Sequence, residues 1–197
     1  MLVYSRLDGR EACWFERDRE GAIVGQVQTG WPAPGYRGNG PSACIWIIRG
    51  EDILLETARL PASSRQELER ALPYALEEAL ALDVESQVFG YQRHDDSYLT
   101  LVADRALMQQ GLEQLAASGL EPSLAVVDVL LLQRPEAAWV VAADKGRVLV
   151  RRADGNGFVC EPDNLAWSLA QAWEETPAAQ RPSIMQFSGL EREALPR

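Results

Sequence analysis

The side chains that most often carry catalysis are sparse in this sequence. His94 is the only histidine, and it stands beside Asp95 and Asp96 in a polar stretch that predicts an exposed turn. The sequence lacks the Gly-x-Ser-x-Gly motif that places a nucleophilic serine on a tight turn. The cysteines are too widely spaced to predict a disulfide framework or a metal site: Cys13, Cys44 and Cys160. We therefore expect no catalytic residues, no bound metal and no cofactor.

Adjacent carboxylates and one glycine motif also favour a structural interpretation. Acidic pairs stand at 77–78, 95–96 and 174–175, but neighbours along a helix point about 100° apart and cannot share one proton-transfer site. The stretch 38–43 has the glycine spacing of a dinucleotide-binding fingerprint. Because it leads into a predicted strand rather than into a helix, we interpret it as a loop.

Asp128 interrupts an apolar run at 124–132, where an ionised carboxylate needs hydrogen bonds to be tolerated. Two interpretations are open. One is a buried carboxylate with a functional role. The other, which we favour, is a cap whose oxygen accepts hydrogen bonds from the first amides of a short helical turn at 130–133.

The elements that must position these residues form a mixed α/β pattern. Alternating apolar residues predict three short strands in a β-meander at 2–7, 12–16 and 22–28, followed by a loop rich in Pro and Gly at 31–41. Further strands are predicted at 43–48, 53–60, 86–92, 98–103, 137–143 and 147–152, the last two joined by a turn at 144–146.

The strongest helical signal follows Ser64, which with Glu67 fits a capping box. We expect Pro73 to kink this helix or break a turn of it. Its apolar stripe comprises Leu68, Ala71, Leu72, Ala75, Leu76, Ala79 and Leu80.

Two further helices are predicted by their caps and apolar faces. The second begins at an Asp104 cap and ends before Gly119, and the third covers 165–175 with Asp163 or Asn164 as its cap. The residues expected to face inward on the second helix are Leu107, Met108, Gly111, Leu112 and Leu115; those on the third are Leu165, Leu169, Ala172 and Trp173.

Composition restricts the classes of partner. The chain has 197 residues, is 47% hydrophobic and carries a formal net charge of -10. This charge repels phosphate backbones and anionic lipid surfaces, so we expect no nucleic-acid binding. The apolar runs are too short to span a bilayer, and the N-terminus lacks a secretory signal, so we expect the chain on the cytoplasmic side.

An acidic surface favours basic partner proteins. The residues that could form a partner-binding stripe lie on the first helix and its exit: Glu67, Glu77, Glu78, Asp83 and Glu85. The alternative is that these side chains only keep the chain soluble. Because exposed ion pairs contribute about 0 to 1 kcal/mol each, such a stripe would select a partner more than anchor it.

Several sequence strings resemble the type II secretion system protein L family. They are Leu-Pro at 60–61, Ala-Leu-Pro-Tyr-Ala-Leu-Glu-Glu at 71–78 and Ala-Leu-Asp-Val at 81–84. The resemblance continues through Leu-Val-Ala-Asp-Arg at 101–105 and Ala-Ser-Gly-Leu-Glu-Pro at 117–122 to Asp128, and so covers roughly residues 40 to 150.

This resemblance implies an α/β, actin-like fold of RNase H-like lobes with a small inserted α/β subdomain. The implied division is a first RNase H-like portion at 1–50, an inserted β-α-β-β-α subdomain at 51–121 and a second RNase H-like portion at 122–197. The chain would then be a cytoplasmic fragment that ends before a single membrane anchor, at the cytoplasmic face of the bacterial inner membrane.

The resemblance also implies partners and an alternative. Family members recruit the N-terminal domain of the secretion ATPase, protein E, and pair with protein M and with themselves. We therefore expect a non-catalytic scaffold. The alternative is a nucleotide-binding switch, because active actin-like proteins hold phosphates with two Asp-x-Gly turns.

Both phosphate turns of such a switch are degenerate here. The first would be the stretch 7–11, which has neither a hydroxyl group nor a second glycine. The second keeps Asp144, Lys145 and Gly146 but continues with Arg147 and a valine in place of small residues. ATP binding is disfavoured, although Lys145 and Arg147 could attract an anion.

Overall fold

The computed structural model of the protein describes residues 1–36, 44–61, 64–80, 82–94, 96–135 and 137–189. Within these ranges the strands are β1 (Leu2–Ser5), β2 (Cys13–Arg17), β3 (Ile23–Thr29), β4 (Cys44–Ile48), β5 (Leu54–Ala58), β6 (Gln87–His94), β7 (Ser97–Asp104), β8 (Pro122–Val127), β9 (Ala138–Asp144), β10 (Arg147–Arg151), β11 (Gly157–Cys160) and β12 (Ile184–Ser188). The α-helices are α1 (Arg65–Leu76), α2 (Arg105–Ala117) and α3 (Leu165–Glu175). The glycine motif at 38–43 lies outside the described residues.

The first lobe consists of a sheet in the order β3-β2-β1-β4-β8 and of α2. The predicted β-meander is present, and β4 and β8 extend it as parallel strands. Trp46 is fully buried in the lobe's core, and its indole nitrogen donates to Ser5 Oγ at 3.0 Å. A Cβ on Gly111 would lie 2.5 Å from the Trp46 ring, so this glycine lets α2 approach the sheet closely.

α2 confirms its predicted cap but not its whole predicted face. Asp104 accepts a hydrogen bond from the Leu107 amide at 2.9 Å. Gly111 and Leu115 are buried, whereas Leu107 and Leu112 are 37% and 38% exposed, so the prediction that they face inward is wrong. Because α2 approaches the sheet closely at Gly111, only a narrow stripe of the helix is buried. Leu107 and Leu112 lie outside this stripe.

The insert consists of the antiparallel sheet β5-β7-β6 and α1. The Ser64 side chain accepts from the Glu67 amide at 3.2 Å, which confirms the predicted cap. α1 is continuous through Pro73, so the predicted break does not occur. The buried leucines at 72 and 76, on either side of Pro73, hold this segment against the sheet. The predicted stripe is wider than the buried one, because Ala75 and the alanine at 79 are exposed.

The second lobe consists of the sheet β11-β10-β9-β12 and of α3. The hairpin of β9 and β10 is confirmed, and β12 returns after α3 to pair with β9 in parallel. Asn164 stands before α3 but makes no side-chain cap bond, because its backbone is helical (φ -93°, ψ -5°) rather than extended. The expectation that it caps α3 is therefore wrong.

Apolar side chains join the two lobes and the insert. Leu55 of the insert, Val127 and Val129 after β8, and Leu149 of the second lobe form one buried cluster. α2 and β8 pack in the first lobe, although the sequence-based division assigns them to the insert and to the last portion. The boundaries at residues 50 and 121 stay a prediction. None of the helices in the described part of the chain has the length and apolar composition needed to cross a membrane.

Candidate functional site

Arg147 lies at the centre of an ionic cluster where the two lobes meet. It is the first residue of β10, and only 6% of its side chain is exposed. Its Nη2 donates to Asp128 at 2.6 Å and to Asp144 at 2.8 Å, and its Nη1 donates to Glu51 at 2.5 Å. It also donates to the hydroxyl of Tyr4 on β1. One cation from the second lobe thus contacts the first lobe, the turn before the insert and the segment after β8.

The cluster fixes the ionisation of its members. Burial opposes the charge on Arg147, but the carboxylates of Asp144 and Asp128 raise its pKa overall, so the guanidinium stays protonated. Burial and the neighbouring Asp128 carboxylate raise the pKa of Tyr4, so its hydroxyl remains a donor and bonds Asp128 at 3.0 Å. Burial favours the neutral form of Glu51, but its backbone hydrogen bond and Arg147 lower its pKa.

Asp128 is a buried hydrogen-bonded carboxylate rather than the predicted cap. It is the first residue of a 3-10 turn over Asp128–Leu131 and does not cap a turn at 130–133. Its Oδ1 accepts from the amide of Gly50 at 2.9 Å and from that of Val129 at 2.7 Å. A Cβ on Gly50 would lie 3.0 Å from this oxygen, so the glycine permits the close approach. The favoured interpretation is therefore wrong: Asp128 lies inside the turn rather than before it, and besides the Val129 amide its donors come from distant parts of the chain.

The first degenerate phosphate turn has three of its backbone amides occupied. The Leu7 amide donates to Asp52 at 2.7 Å, and the Gly9 amide donates to the carbonyl of Arg6 at 3.0 Å. The Arg10 amide bonds the side chain of Asp8 at 3.0 Å. The Trp31 indole covers the turn and donates to the Gly9 carbonyl at 2.9 Å. A phosphate cradle needs converging free amides, and these amides already have acceptors.

The second degenerate turn is a tight hairpin. Lys145 and Gly146 have φ values of 47° and 83°, the two positive values that a type I′ turn requires. Lys145 and Gly146 are exposed, but Arg147 turns inward into the carboxylates. Beside it, a cleft of about 350 Å³ between the lobes is lined mainly by apolar side chains, such as those of Phe15 and Leu131. This cleft offers a phosphate no unpaired buried cation among the residues that the structure describes.

The other predicted candidates lie apart from this cluster. His94 is at the end of β6, where its carbonyl accepts from Ser97 Oγ at 2.9 Å. The residues of the proposed acidic stripe are all exposed, but Glu67 is in the first turn of α1 and the rest follow the helix. Within the described ranges no group of His, Cys, Asp or Glu is arranged to hold a metal ion.

Sequence reasoning missed Tyr4, Glu51 and Gly50 as parts of the site. Their polar groups are brought together by pairing of β1 with β4 and by the turn after β4. A signal for the centre of the cluster was present. Arg147 begins an apolar strand and Asp128 interrupts an apolar run, and two opposite charges in apolar surroundings favour pairing with each other.

Comparison with solved structures defines the class as an actin-like α/β fold. A Bacteroides thetaiotaomicron protein with an actin-like ATPase fold and unknown function matches over 98% of this chain and 83% of its own, with a TM-score of 0.53 and 8% identity. A chain of the PilM-PilN type IV pilus biogenesis complex matches over 90% of this chain and 66% of that one, with a TM-score of 0.54 and 13% identity.

Sequence comparison identifies the family. The family model for type II secretion system protein L matches residues 42–196, and the chain therefore belongs to this family. The protein L of Dickeya chrysanthemi is 29% identical over 73% of this chain, and that of Vibrio cholerae is 26% identical over 86%. The chain spans 36% and 42% of the lengths of these two relatives.

A solved structure from the same secretion system also matches. It is the cytoplasmic domain of EpsL, an inner-membrane component of the type II secretion system of Vibrio cholerae. The match covers 97% of this chain and 82% of that one, with a TM-score of 0.78 and 19% identity. The predicted fold class and family are both confirmed.

Proposed function

We propose that this chain is a cytoplasmic scaffold of the type II secretion inner-membrane platform, which recruits the secretion ATPase, protein E, through protein contacts and without catalysis. The observation that carries the proposal is the ionic cluster around Arg147. In a nucleotide-binding relative of this fold, the two hairpin turns would hold phosphates. Here one turn supplies the buried Arg147, which is already bonded to carboxylates. In the other turn, the amides of Leu7, Gly9 and Arg10 have internal acceptors.

The acidic charge of the chain supports a partner with a basic surface. The net charge is -10, and four residues of the proposed stripe lie at exposed positions in the segment after α1: Glu77, Glu78, Asp83 and Glu85. Glu67 lies ten residues before Glu77, a separation of about 15 Å along the helix, so we propose the four-residue group as the docking patch. The match to a chain of the PilM-PilN complex adds support, since that structure is an assembly of proteins in type IV pilus biogenesis.

Size-exclusion chromatography with light scattering tests recruitment. We expect the chain and the N-terminal domain of protein E to form a complex at about 50 mM salt that weakens at about 500 mM, where screening is strong. The variant E77Q/E78Q/D83N/E85Q should weaken the complex, whereas the matched control E20Q/E121Q/E161Q/E174Q, at exposed acids elsewhere, should not. The absence of a complex at low salt refutes recruitment, and an equal loss with both variants refutes the patch.

Calorimetric titration with Mg-ATP tests the rival function, a nucleotide-dependent switch. The degenerate Asp144-Lys145-Gly146 turn and the cleft beside it are where such a nucleotide would bind. We expect no saturable heat. Saturable binding at micromolar ATP would refute the scaffold proposal and favour the switch.

A further inference from the structure

A groove of about 380 Å³ lies between the insert and the second lobe, and Arg147 is not among the residues that line it. Residues of α3, β5 and β11 line it. On α3 the lining residues Trp167, Gln171 and Glu175 recur every four positions, so they form one face that rises about 12 Å along the helix. Because an extended chain rises about 3.3 Å per residue, this length matches a segment of four to five residues.

The strands of the groove have unpaired edges. Among the described residues β5 pairs only with β7, and β11 pairs only with β10. Such edges carry amide and carbonyl groups that are open to a further strand. An extended peptide can add to an edge of this kind, with main-chain hydrogen bonds supplying affinity and side-chain pockets supplying specificity.

The charged side chains that line the groove favour a positively charged ligand. Glu56 and Glu175 are lining residues for which the described part of the chain offers no ion pair. The lining cation Arg152 is already paired with Asp154 at 3.4 Å. Trp167 is 71% exposed, and the face of an indole ring attracts lysine and arginine side chains. The groove thus combines an aromatic face with two carboxylates that have no ion pair among the described residues, one of which, Glu175, accepts a hydrogen bond from Gln171 at 2.9 Å.

We propose that this groove binds an extended, basic segment of a partner protein, with cationic side chains at Trp167 and near Glu175. The inference rests on the proposed function in that the chain works by binding proteins. It assigns a surface that is distinct from the acidic patch after α1. Cations at the first and fifth positions of the segment are about 13 Å apart and on the same side, which matches the length of the α3 face.

Fluorescence anisotropy with a labelled peptide tests the groove. The probe is Gly-Lys-Val-Thr-Val-Lys-Gly, and its control has glutamate in place of both lysines. We expect saturable binding of the basic peptide only. W167A should weaken binding about tenfold or more, as loss of a central aromatic contact does. The matched control Y74A removes another exposed aromatic, which lies on α1 and is 74% exposed, and should leave binding unchanged.

Charge variants give an independent readout. E56Q/E175Q should weaken binding about threefold to tenfold and flatten its salt dependence, because two attractive charges are lost. Equal binding of both peptides, no binding of the basic peptide, or equal effects of W167A and Y74A would overturn the assignment. If the peptide test fails, the proposed function can still be tested, because the complex with protein E is detected by chromatography without the peptide.

Discussion

Replacing Arg147 by methionine tests the central ionic cluster. R147M keeps most of the aliphatic volume but leaves Asp128, at 8% side-chain exposure, without its cation, and leaves Glu51, at 24%, with Arg49 as its remaining cation. Asp144 is 41% exposed, so solvent screening makes the loss of its ion pair with Arg147 a small contribution to the destabilisation. Removing one partner of a buried ion pair costs about 3 to 5 kcal/mol. For a chain of this size that loss corresponds to a fall in Tm of about 6 to 20 °C.

The loss of stability in R147M should increase as the pH rises. In the unchanged protein the pKa of Glu51 is lowered, so its contribution is present at neutral pH and is lost as the pH falls through the folded-state value. In R147M Glu51 keeps only Arg49, so its pKa is lowered less and the variant gains less stability than the unchanged protein as the pH rises. The difference in unfolding free energy should therefore widen between about pH 4 and pH 7.

Urea denaturation of both proteins at several pH values measures this difference. R65M is the matched control, because Arg65 forms an ion pair with Glu69 but its side chain is 84% exposed. We expect the control to change stability by less than about 0.5 kcal/mol. A loss below about 1 kcal/mol in R147M, or a loss that does not vary with pH, would refute the view that Arg147 holds the lobes together electrostatically.

Two core substitutions test the packing of the helices, each by chemical denaturation. L76A should cost about 2 to 5 kcal/mol, because Leu76 is 5% exposed and packs in the core of the insert; a cost below about 0.5 kcal/mol would contradict this packing. G111A should cost about 1 to 3 kcal/mol in spite of the better helix propensity of alanine, since the added Cβ would lie 2.5 Å from Trp46 and from the Leu7 carbonyl. Its control, Q110A on the exposed side of α2, should change the free energy of unfolding by less than about 0.5 kcal/mol. If G111A instead stabilised the protein, the helix would have to shift to make room for the added Cβ.

Local patterns predicted the secondary structure where local forces decide it. Ser64 and Asp104 cap their helices as predicted, because a side chain in an extended N-cap residue reaches an amide three positions ahead. The β9–β10 hairpin follows from its Lys-Gly turn. Leu107 and Leu112 were predicted inward by periodicity alone, but the width of the buried face depends on how closely α2 approaches Trp46.

The site was predicted less well than the fold. The second degenerate phosphate turn could be identified from the bulky residues that follow Gly146, but the partners of the Arg147 side chain could not. Asp128 was assigned to a local cap because local amides are the commonest partners of such a residue. Two of its actual donors, Gly50 and Tyr4, are 78 and 124 positions away, and no local pattern contains them.

By itself, the sequence determined that the chain is acidic, that its helices and strands form an α/β fold and that its motifs are those of the protein L family. These properties depend on residue type and near spacing, which a sequence displays directly. The tertiary structure decided which charges meet at the junction of the lobes and which strand edges border the groove beside Trp167. The ionic cluster depends on the parallel pairing of β1 with β4 and of β4 with β8, which brings residues far apart in the chain within hydrogen-bonding distance, and the groove depends on how the insert packs against the second lobe.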